Sequence, residues 1–311
     1  MKPRDIALAV GVAAIWGVNF VVIRVGLDSM SPLLFCALRF AVAAVPAIFF
    51  VGRPSAPWRW VIATGLALGV AKFSLLFAGI AAGLPAGLSA LVLQSQAVFT
   101  LVFAAVLLRD RPGPYRLAGV ALSAAGIVLI ASRLGMNRPL GAFLLVVAAG
   151  AAWGIANVAI RKAGTTDTLN FMVWVSAVAT PPLVALTLAV DGPSYVGKVL
   201  RGLDLTALGA IGFIAWISTL VGFGLWGRLI SRYGAGTVAP FAALAPVFAI
   251  VATALFLGER VTVIDVIGGA AVLSGVLLGS VWGRAASTEE AAHAPVPELA
   301  PEPRTAAGTP G

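Results

Sequence analysis

The chain has 311 residues, of which 60% are hydrophobic and only 11% are charged, and its formal net charge is +9. Soluble domains carry about 25% charged residues, so this composition excludes an ordinary soluble enzyme or binding module. A mean hydropathy of +1.02 and long apolar runs indicate an all-α polytopic membrane protein. A β-barrel is excluded because its strands are shorter and alternate apolar with polar residues.

Ten apolar segments are candidate membrane spans. The first follows MKPRD. It is too long for the core of a signal peptide and no convincing small-residue cleavage site ends it, so we interpret it as a spanning helix. The predicted spans are residues 6–27, 32–51, 60–80, 85–108, 114–131, 140–160, 169–189, 206–227, 235–257 and 263–282.

The basic residues predict the orientation of these spans. With the N-terminus inside, the inner segments hold 13 of the 21 Lys and Arg residues, the outer loops hold 6 and the spans hold 2. Cytoplasmic loops carry an excess of Lys and Arg, so both termini are predicted in the cytoplasm. The positive charge therefore indicates membrane orientation and no nucleic-acid partner.

Residues 284–311 are rich in Pro and Ala and predict a disordered cytoplasmic tail.

Two parts of the sequence recur. WGVNFVVIR at 16–24 shares five of nine positions with WGIANVAIR at 153–161. The block at 86–111 aligns without gaps with the block at 235–260, at an offset of 149 residues. Five spans in each half is an odd number, so the second half must cross the membrane in the opposite direction. The pattern predicts two inverted repeats, residues 1–133 and 138–283. This plan is frequent among secondary transporters, although a duplicated membrane protein that transports nothing would also show it.

The chain resembles the EamA-type transporters of the drug/metabolite transporter superfamily over residues 5–282. The resemblance rests on WGVNFVVIRVGL, SPLLFCALRF, AGLSALVLQSQAVFTLVFAAVLLRDR and the WG and LGER phrases of the second half. Within that family the chain is most similar to bacterial exporters of O-acetylserine and cysteine. The resemblance implies a ten-helix inner-membrane protein that exports amino-acid-like metabolites. The alternative is an exporter of hydrophobic drugs or of other metabolites, of the multidrug type.

Lys72 is the sharpest candidate for a substrate contact. It lies about twelve residues into the third span, roughly 18 Å deep and close to the middle of the bilayer. Its charge is costly against lipid, so it should face the interior or a wet cavity. All 12 Asp and Glu residues lie in loops, at span ends or in the tail. Three interpretations stay open: the cargo carboxylate is its partner, it is uncharged because desolvation disfavours the charged form, or it bonds backbone carbonyls.

Two glutamines in the fourth span are further candidates. An amide offers both a donor and an acceptor to a zwitterionic cargo. Gln94 and Gln96 lie about 200° apart around a regular helix, so they cannot share one face. We expect one to line a cavity and the other to bond a neighbouring helix.

Two Trp–Asn pairs begin the two recurring phrases. Trp16 and Asn19 share one face of the first span, and Trp153 and Asn157 share one face of the sixth. Two interpretations are equally open. The tryptophans wall a cavity and the asparagines bond the cargo, or both pack against neighbouring helices. Weaker candidates of the same kind are Trp216, Ser218, Thr219 and Trp226.

Arg39 lies about a third of the way into the second span, where the family resemblance makes an arginine expected. Its depth allows the side chain to snorkel partly toward the outer surface. We favour a structural role for Arg39 over substrate contact.

The sequence indicates no enzyme. There is no Cys/His cluster, no pair of buried carboxylates and no phosphate-binding loop, so no metal and no cofactor are predicted. With no mid-membrane Asp, Glu or His, proton antiport through a carboxylate is disfavoured. Facilitated export, or coupling through Lys72, fits better. The expected partners are the lipid bilayer and a small-molecule substrate, and no oligomeric state is indicated.

Overall fold

The computed structural model describes residues 1–110, 112–132, 140–165 and 167–279. All regular structure within these ranges is helical. The predicted tail at 284–311 and the predicted junction between repeats at 133–138 lie outside the described residues.

The described helices follow one another through short connections, and eight of them are long and apolar enough to cross a membrane. The exceptions are α2 and α11, which are apolar but shorter, and α8, a loop helix that was not predicted and has no buried residue. In chain order the helices are α1 Pro3–Leu27, α2 Pro32–Ala47, α3 Trp58–Ala81, α4 Ala86–Leu108, α5 Pro114–Ala131, α6 Leu140–Ala163, α7 Thr168–Val190, α8 Pro193–Arg201, α9 Leu205–Tyr233, α10 Thr237–Leu257 and α11 Val263–Leu277.

Helix starts are fixed by proline and by side-chain caps. Asp204 accepts a hydrogen bond from the Ala207 N–H at 2.8 Å before α9. Thr262 and Asp265 form a capping box at the start of α11. Prolines stand in the first turn of four helices, where a missing N–H costs little. These are Pro3, Pro32, Pro114 and Pro193. Asp204 and Asp265 are thus engaged at the starts of their helices.

Irregularities of the helices recur at the offset of the sequence repeat. α3 and α9 each contain a π-helical stretch, Gly65–Lys72 and Phe213–Val221, whose last residues are 149 positions apart. A 3₁₀ turn at Leu93–Ser95 interrupts α4, and a turn interrupts α10 at the corresponding place. α4 and α10 end at Arg109 and Gly258, with φ of 56° and 65° in the left-handed region.

Helix packing follows the same correspondence. α1 packs against α10 through Gly17, where a Cβ would meet the Phe248 side chain and nearby backbone. α6 packs against α4 through Gly154, where a Cβ would lie 2.9 Å from the Phe99 Cβ. Glycine lets helix backbones approach closely in membranes. Two further large contacts, α2 with α7 and α5 with α11, each join a helix to its counterpart in the other half.

Large apolar side chains are exposed on the outer faces of the bundle. Among them are Val106, Val128, Leu255 and Phe256. Soluble proteins rarely expose contiguous apolar patches of this kind, whereas lipid tails accept them at no cost. The outer surface of the described residues therefore suits a lipid environment.

The α5–α11 contact supplies a test of the packing. A Cβ on Gly126 would lie 2.6 Å from the Gly268 carbonyl oxygen, which is backbone and cannot rotate away. A Cβ on Gly11 would meet nothing within 4 Å. We expect Gly126→Ala to destabilise the protein by about 1–3 kcal/mol through overpacking, as measured by unfolding in detergent micelles. Gly11→Ala is the matched control and should be neutral or stabilising. Equal stability of the two variants would contradict the close crossing.

Candidate functional site

A cavity of about 640 Å³ lies between the helices of the two halves. Pockets that hold small molecules occupy about 300–1,000 Å³, so it is large enough for a metabolite. It extends to the end of the protein where α4 ends and α5 begins, and there Asp110 and Arg116 line it. All the residues that the sequence singled out as substrate contacts line it too. They are Trp16, Asn19, Lys72, Gln94, Gln96, Trp153 and Asn157.

Lys72 lies between two aromatic rings. It is the last residue of the π-helical stretch of α3, and π-helical turns often mark functional sites. Its Nζ is 3.3 Å from the centroid of the Phe73 ring and 4.6 Å from that of Trp153, in cation–π geometry. Nζ has no hydrogen bond or ion pair to any described residue. The described residues therefore give the backbone-carbonyl interpretation of Lys72 no support.

Arg39 also lines the cavity, and its side chain is buried. It is only 2% exposed, so the expected snorkelling toward the surface is wrong. Contacts inside the bundle hold the side chain there. The Arg39 Nη2 donates to the Thr219 Oγ1 at 3.1 Å. The guanidinium lies 3.9 Å from the Phe73 ring centroid and 5.0 Å from that of Phe40. Arg39 Nε and Nη1 have no hydrogen-bond partner among the described residues.

Gln96 and Asn157 bond each other across α4 and α6. The Asn157 Nδ2 donates to the Gln96 Oε1 at 2.8 Å and to the Thr100 Oγ1 at 3.0 Å. Gln94 lines the same cavity as Gln96. The sequence argument separated the two glutamines by assuming a regular helix. That assumption does not hold, because a 3₁₀ turn at Leu93–Ser95 interrupts the helix, and both glutamines line the cavity.

The first Trp–Asn pair is engaged differently from the second. The Trp16 Nε1 donates to the Ser218 carbonyl oxygen at 3.1 Å, and its ring packs against Phe223 and Trp226. Asn19 is 7% exposed, and its Oδ1 has no hydrogen-bond partner among the described residues. Both asparagines line the cavity, but the Asn19 Oδ1 is buried without a partner among the described residues, whereas the Asn157 amide is bonded to Gln96 and Thr100.

Sequence reasoning missed several lining residues. Thr100 follows Gln96 by one helical turn, and that spacing could have found it. Arg116 and Arg161 were assigned only to inner loops, yet they line the cavity mouth. Of the weaker candidates, Ser218 and Trp226 line the cavity. Trp216 instead donates to the backbone of α2, outside the lining.

At the end of the bundle opposite the mouth, Glu259 joins α10 to α4. Its two carboxylate oxygens accept hydrogen bonds from the Ala86 N–H at 2.6 Å and the Gly87 N–H at 2.9 Å. A carboxylate at a helix N-terminus is favoured by charge-assisted bonds and by the helix dipole. The bonds tie the end of α10 to the start of α4. At the other end, Asp110, which the repeat aligns with Glu259, forms an ion pair with Arg161 at the mouth.

Comparison with known proteins identifies the family. The EamA-like transporter family matches residues 4–132 and 140–281. The chain belongs to this family. It is 36% identical over 294 residues to a probable amino-acid metabolite efflux pump of Escherichia coli (strain K12), with 92% of this chain and 98% of that protein covered.

Two further similarities agree with this membership. The chain is 35% identical over 289 residues to a probable amino-acid metabolite efflux pump of Salmonella typhimurium (strain LT2), with 91% of this chain and 96% of that protein covered. A solved crystal structure shares the fold with a TM-score of 0.60 at 19% identity, over 92% of this chain and 98% of that one. The EamA-family protein is thus a transporter and a multi-pass protein of the inner membrane.

The two asparagines should respond oppositely to the same substitution. Asn157→Leu removes the partner of Gln96 and Thr100 and should lower the free energy of unfolding by about 1 kcal/mol. Asn19→Leu removes a buried oxygen that has no partner, so stability should be unchanged or higher. Chemical denaturation in micelles measures both variants. If Asn19→Leu destabilises the protein as much as Asn157→Leu, the amide of Asn19 is not free.

Proposed function

We propose that this EamA-family protein is a secondary transporter that exports small amino-acid-like metabolites, of the cysteine and O-acetylserine class, by alternating access. One observation carries the proposal: a cavity whose mainly apolar wall carries amide and cationic side chains lies between the two halves and extends to the end of the bundle where α4 ends. The names of the two enterobacterial relatives, which describe probable amino-acid metabolite efflux, support this cargo class.

The proposal includes ten spans in two inverted repeats, with both termini in the cytoplasm. α2 and α11 are counted as spans, although α2 has only 16 residues and a regular helix of that length is about 24 Å long. A bilayer adjusts to short spans by local thinning. The recurrence of π-helical stretches, helix breaks and glycine contacts supports the division at 1–133 and 138–283. In this orientation the cavity opens to the cytoplasm, the side from which an exporter loads.

Alternating access follows from the correspondence between the two ends. Glu259 holds α4 and α10 together at the outer end. Asp110 occupies the matching place at the cytoplasmic end, where it is paired with Arg161. We infer that in the outward-open state Asp110 leaves Arg161 and caps the start of α10, while Glu259 releases α4. The two ends then exchange roles, as the near-symmetry of an inverted repeat allows.

Recognition of the cargo is assigned to side chains of the first half. Lys72 would receive the carboxylate, and the amides of Asn19 and Gln94 would bond the other polar groups, since an amide both donates and accepts. Trp16 and Trp153 would wall the site. No described carboxylate lines the membrane-embedded part of the cavity, which disfavours a carboxylate proton carrier and favours export down the cargo gradient.

Uptake of labelled cysteine into inside-out vesicles tests the cargo class. Unlabelled O-acetylserine should compete, and tetraphenylphosphonium should not, because the deep cavity wall carries cationic side chains. Lys72→Met should lower uptake about tenfold or more, since it removes the partner of the carboxylate. Lys198→Met, on the exposed helix α8, is the matched control and should transport normally. Full activity of Lys72→Met, or competition by the organic cation alone, would favour multidrug export.

Glu259→Gln tests the outer closure. Hydrogen bonds to a charged group are worth about 1.5–3 kcal/mol, so loss of the charge should favour the outward-open state. The readout is labelling of Ala97→Cys, a cavity position, by a membrane-impermeant maleimide added outside. The background carries Cys36→Ala, which removes the native thiol. Labelling should rise several-fold. Asp28→Asn, which removes a carboxylate from an exposed ion pair, should leave it unchanged. No rise with Glu259→Gln would refute the closure.

A further inference from the structure

Two cationic side chains meet on one aromatic ring in the cavity wall. The Arg39 Cζ lies 3.9 Å and the Lys72 Nζ 3.3 Å from the centroid of the Phe73 ring. Because both distances share that centroid, the two charged centres can be no more than 7.2 Å apart. Arg39 is 2% exposed and Lys72 5% exposed, so bulk water screens neither of them well.

No described carboxylate lies near this pair. The eight described Asp and Glu residues all cap helices, bond neighbouring groups or form ion pairs at helix ends and loops. They are Asp5, Asp28, Asp110, Asp167, Asp191, Asp204, Glu259 and Asp265. Of these only Asp110 lines the cavity, where it is paired with Arg161 at the mouth.

The described cavity lining therefore carries an excess of positive charge. Its cationic side chains are Arg39, Lys72, Arg116 and Arg161, and its one carboxylate is Asp110. A cleft lined by one sign of charge concentrates ligands of the opposite sign. The excess is greatest in the deep part, which holds two cations and no described carboxylate.

Arg39 and Lys72, the deep pair of cations, include hydrogen-bond donors that no described residue engages. Nε and Nη1 of Arg39 are buried without a partner among the described residues. The ring of Phe73 attracts both cations but accepts no hydrogen bond of ordinary strength. An anion beside the ring would satisfy the guanidinium N–H groups and reduce the repulsion between the two charges. Each of these guanidinium N–H groups can donate a charge-assisted hydrogen bond to a carboxylate.

We propose that Arg39 and Lys72 form an anion site, and that the cavity selects amino-acid derivatives of net negative charge, such as N-acylated amino acids, over their zwitterionic parents. One carboxylate leaves the deep pair with an excess positive charge. A free ammonium on the same cargo would add a third cation, with no described carboxylate near enough to receive it. Masking the amino group by acylation removes that repulsion. This inference rests on the proposed transport through the same cavity.

O-acetylserine and N-acetylserine are the discriminating probes. The two compounds are isomers, but O-acetylserine is a zwitterion, whereas N-acetylserine is an anion with a free hydroxyl group. The full-length protein is reconstituted into phosphatidylcholine vesicles, so that no anionic lipid competes for the site. Entry of each labelled compound is measured at mildly acidic pH, where acyl migration is slow. We expect kcat/KM for N-acetylserine to exceed that for O-acetylserine by about tenfold.

Lys72→Glu connects that preference to the proposed site. The new carboxylate would pair with Arg39 and change the deep charge by two units, so the preference should fall or reverse. Lys198→Glu makes the same change on α8 and should keep the wild-type ratio. If Lys72→Glu does not fold, Lys72→Met should give an intermediate ratio. Binding of both probes is measured in parallel by quenching of tryptophan fluorescence, since Trp153 lies beside Lys72.

The outcomes separate this inference from the proposed function. Equal or better transport of O-acetylserine by the wild type, or a ratio unaffected by Lys72→Glu, overturns the anion site and leaves amino-acid export in place. Binding of N-acetylserine without transport of either compound supports the anion site and overturns export. Neither binding nor transport overturns both.

Discussion

The placement of charge relative to the membrane is the constraint on which this structure depends. A charge in hydrocarbon is costly, so ionisable side chains either leave the bilayer or face an interior that can accept them. The described carboxylates have all left it, and they cap or tie helix ends. Arg39 and Lys72 remain inside, each against the ring of Phe73. Both cations line a cavity whose wall is otherwise mainly apolar.

A symmetric framework holds an asymmetric site. The π-helical stretches of α3 and α9 end at Lys72 and Val221, positions that the repeat superposes. The backbone irregularity is thus kept in both halves, whereas only the first half uses it to present a charge. Gln94 and Gln96 likewise correspond to Ala243 and Ala245. The second half contributes residues to the cavity wall instead. One of its residues, Thr219, accepts a hydrogen bond from Arg39. In the proposed mechanism, the near-symmetry of the two halves allows the inward-open and outward-open states to exchange, and the differences between the halves provide recognition of the cargo.

Much of this arrangement could be predicted from the sequence, because membrane burial leaves strong signals. Long apolar runs reveal helices, and a lysine among them must face the interior, as Lys72 does. The burial of the Arg39 side chain could not be predicted, because its hydroxyl partner, Thr219, lies 180 positions away along the chain. The pairing of Asn157 with Gln96 across 61 positions has the same cause. Gln94 and Gln96 were expected to face different ways on a regular helix, but a 3₁₀ turn at Leu93–Ser95 interrupts the helix there and both residues line the cavity.

The two ends of the bundle differ in the chemistry of one helix terminus, and this difference suits a protein with two gates. α10 ends in glycine at position 258, which adopts the left-handed conformation without strain, whereas α4 ends in Arg109, which does not adopt it freely. The carboxylate that follows Gly258 is bonded to the backbone of α4, and the one that follows Arg109 is bonded to an exposed side chain, Arg161. In the proposed mechanism, each of these carboxylates exchanges its present partner for the one that its counterpart has now. The end that holds Asp110 combines a strained helix terminus with an exposed ion pair, and we propose that this combination lets that end open while the other is held closed.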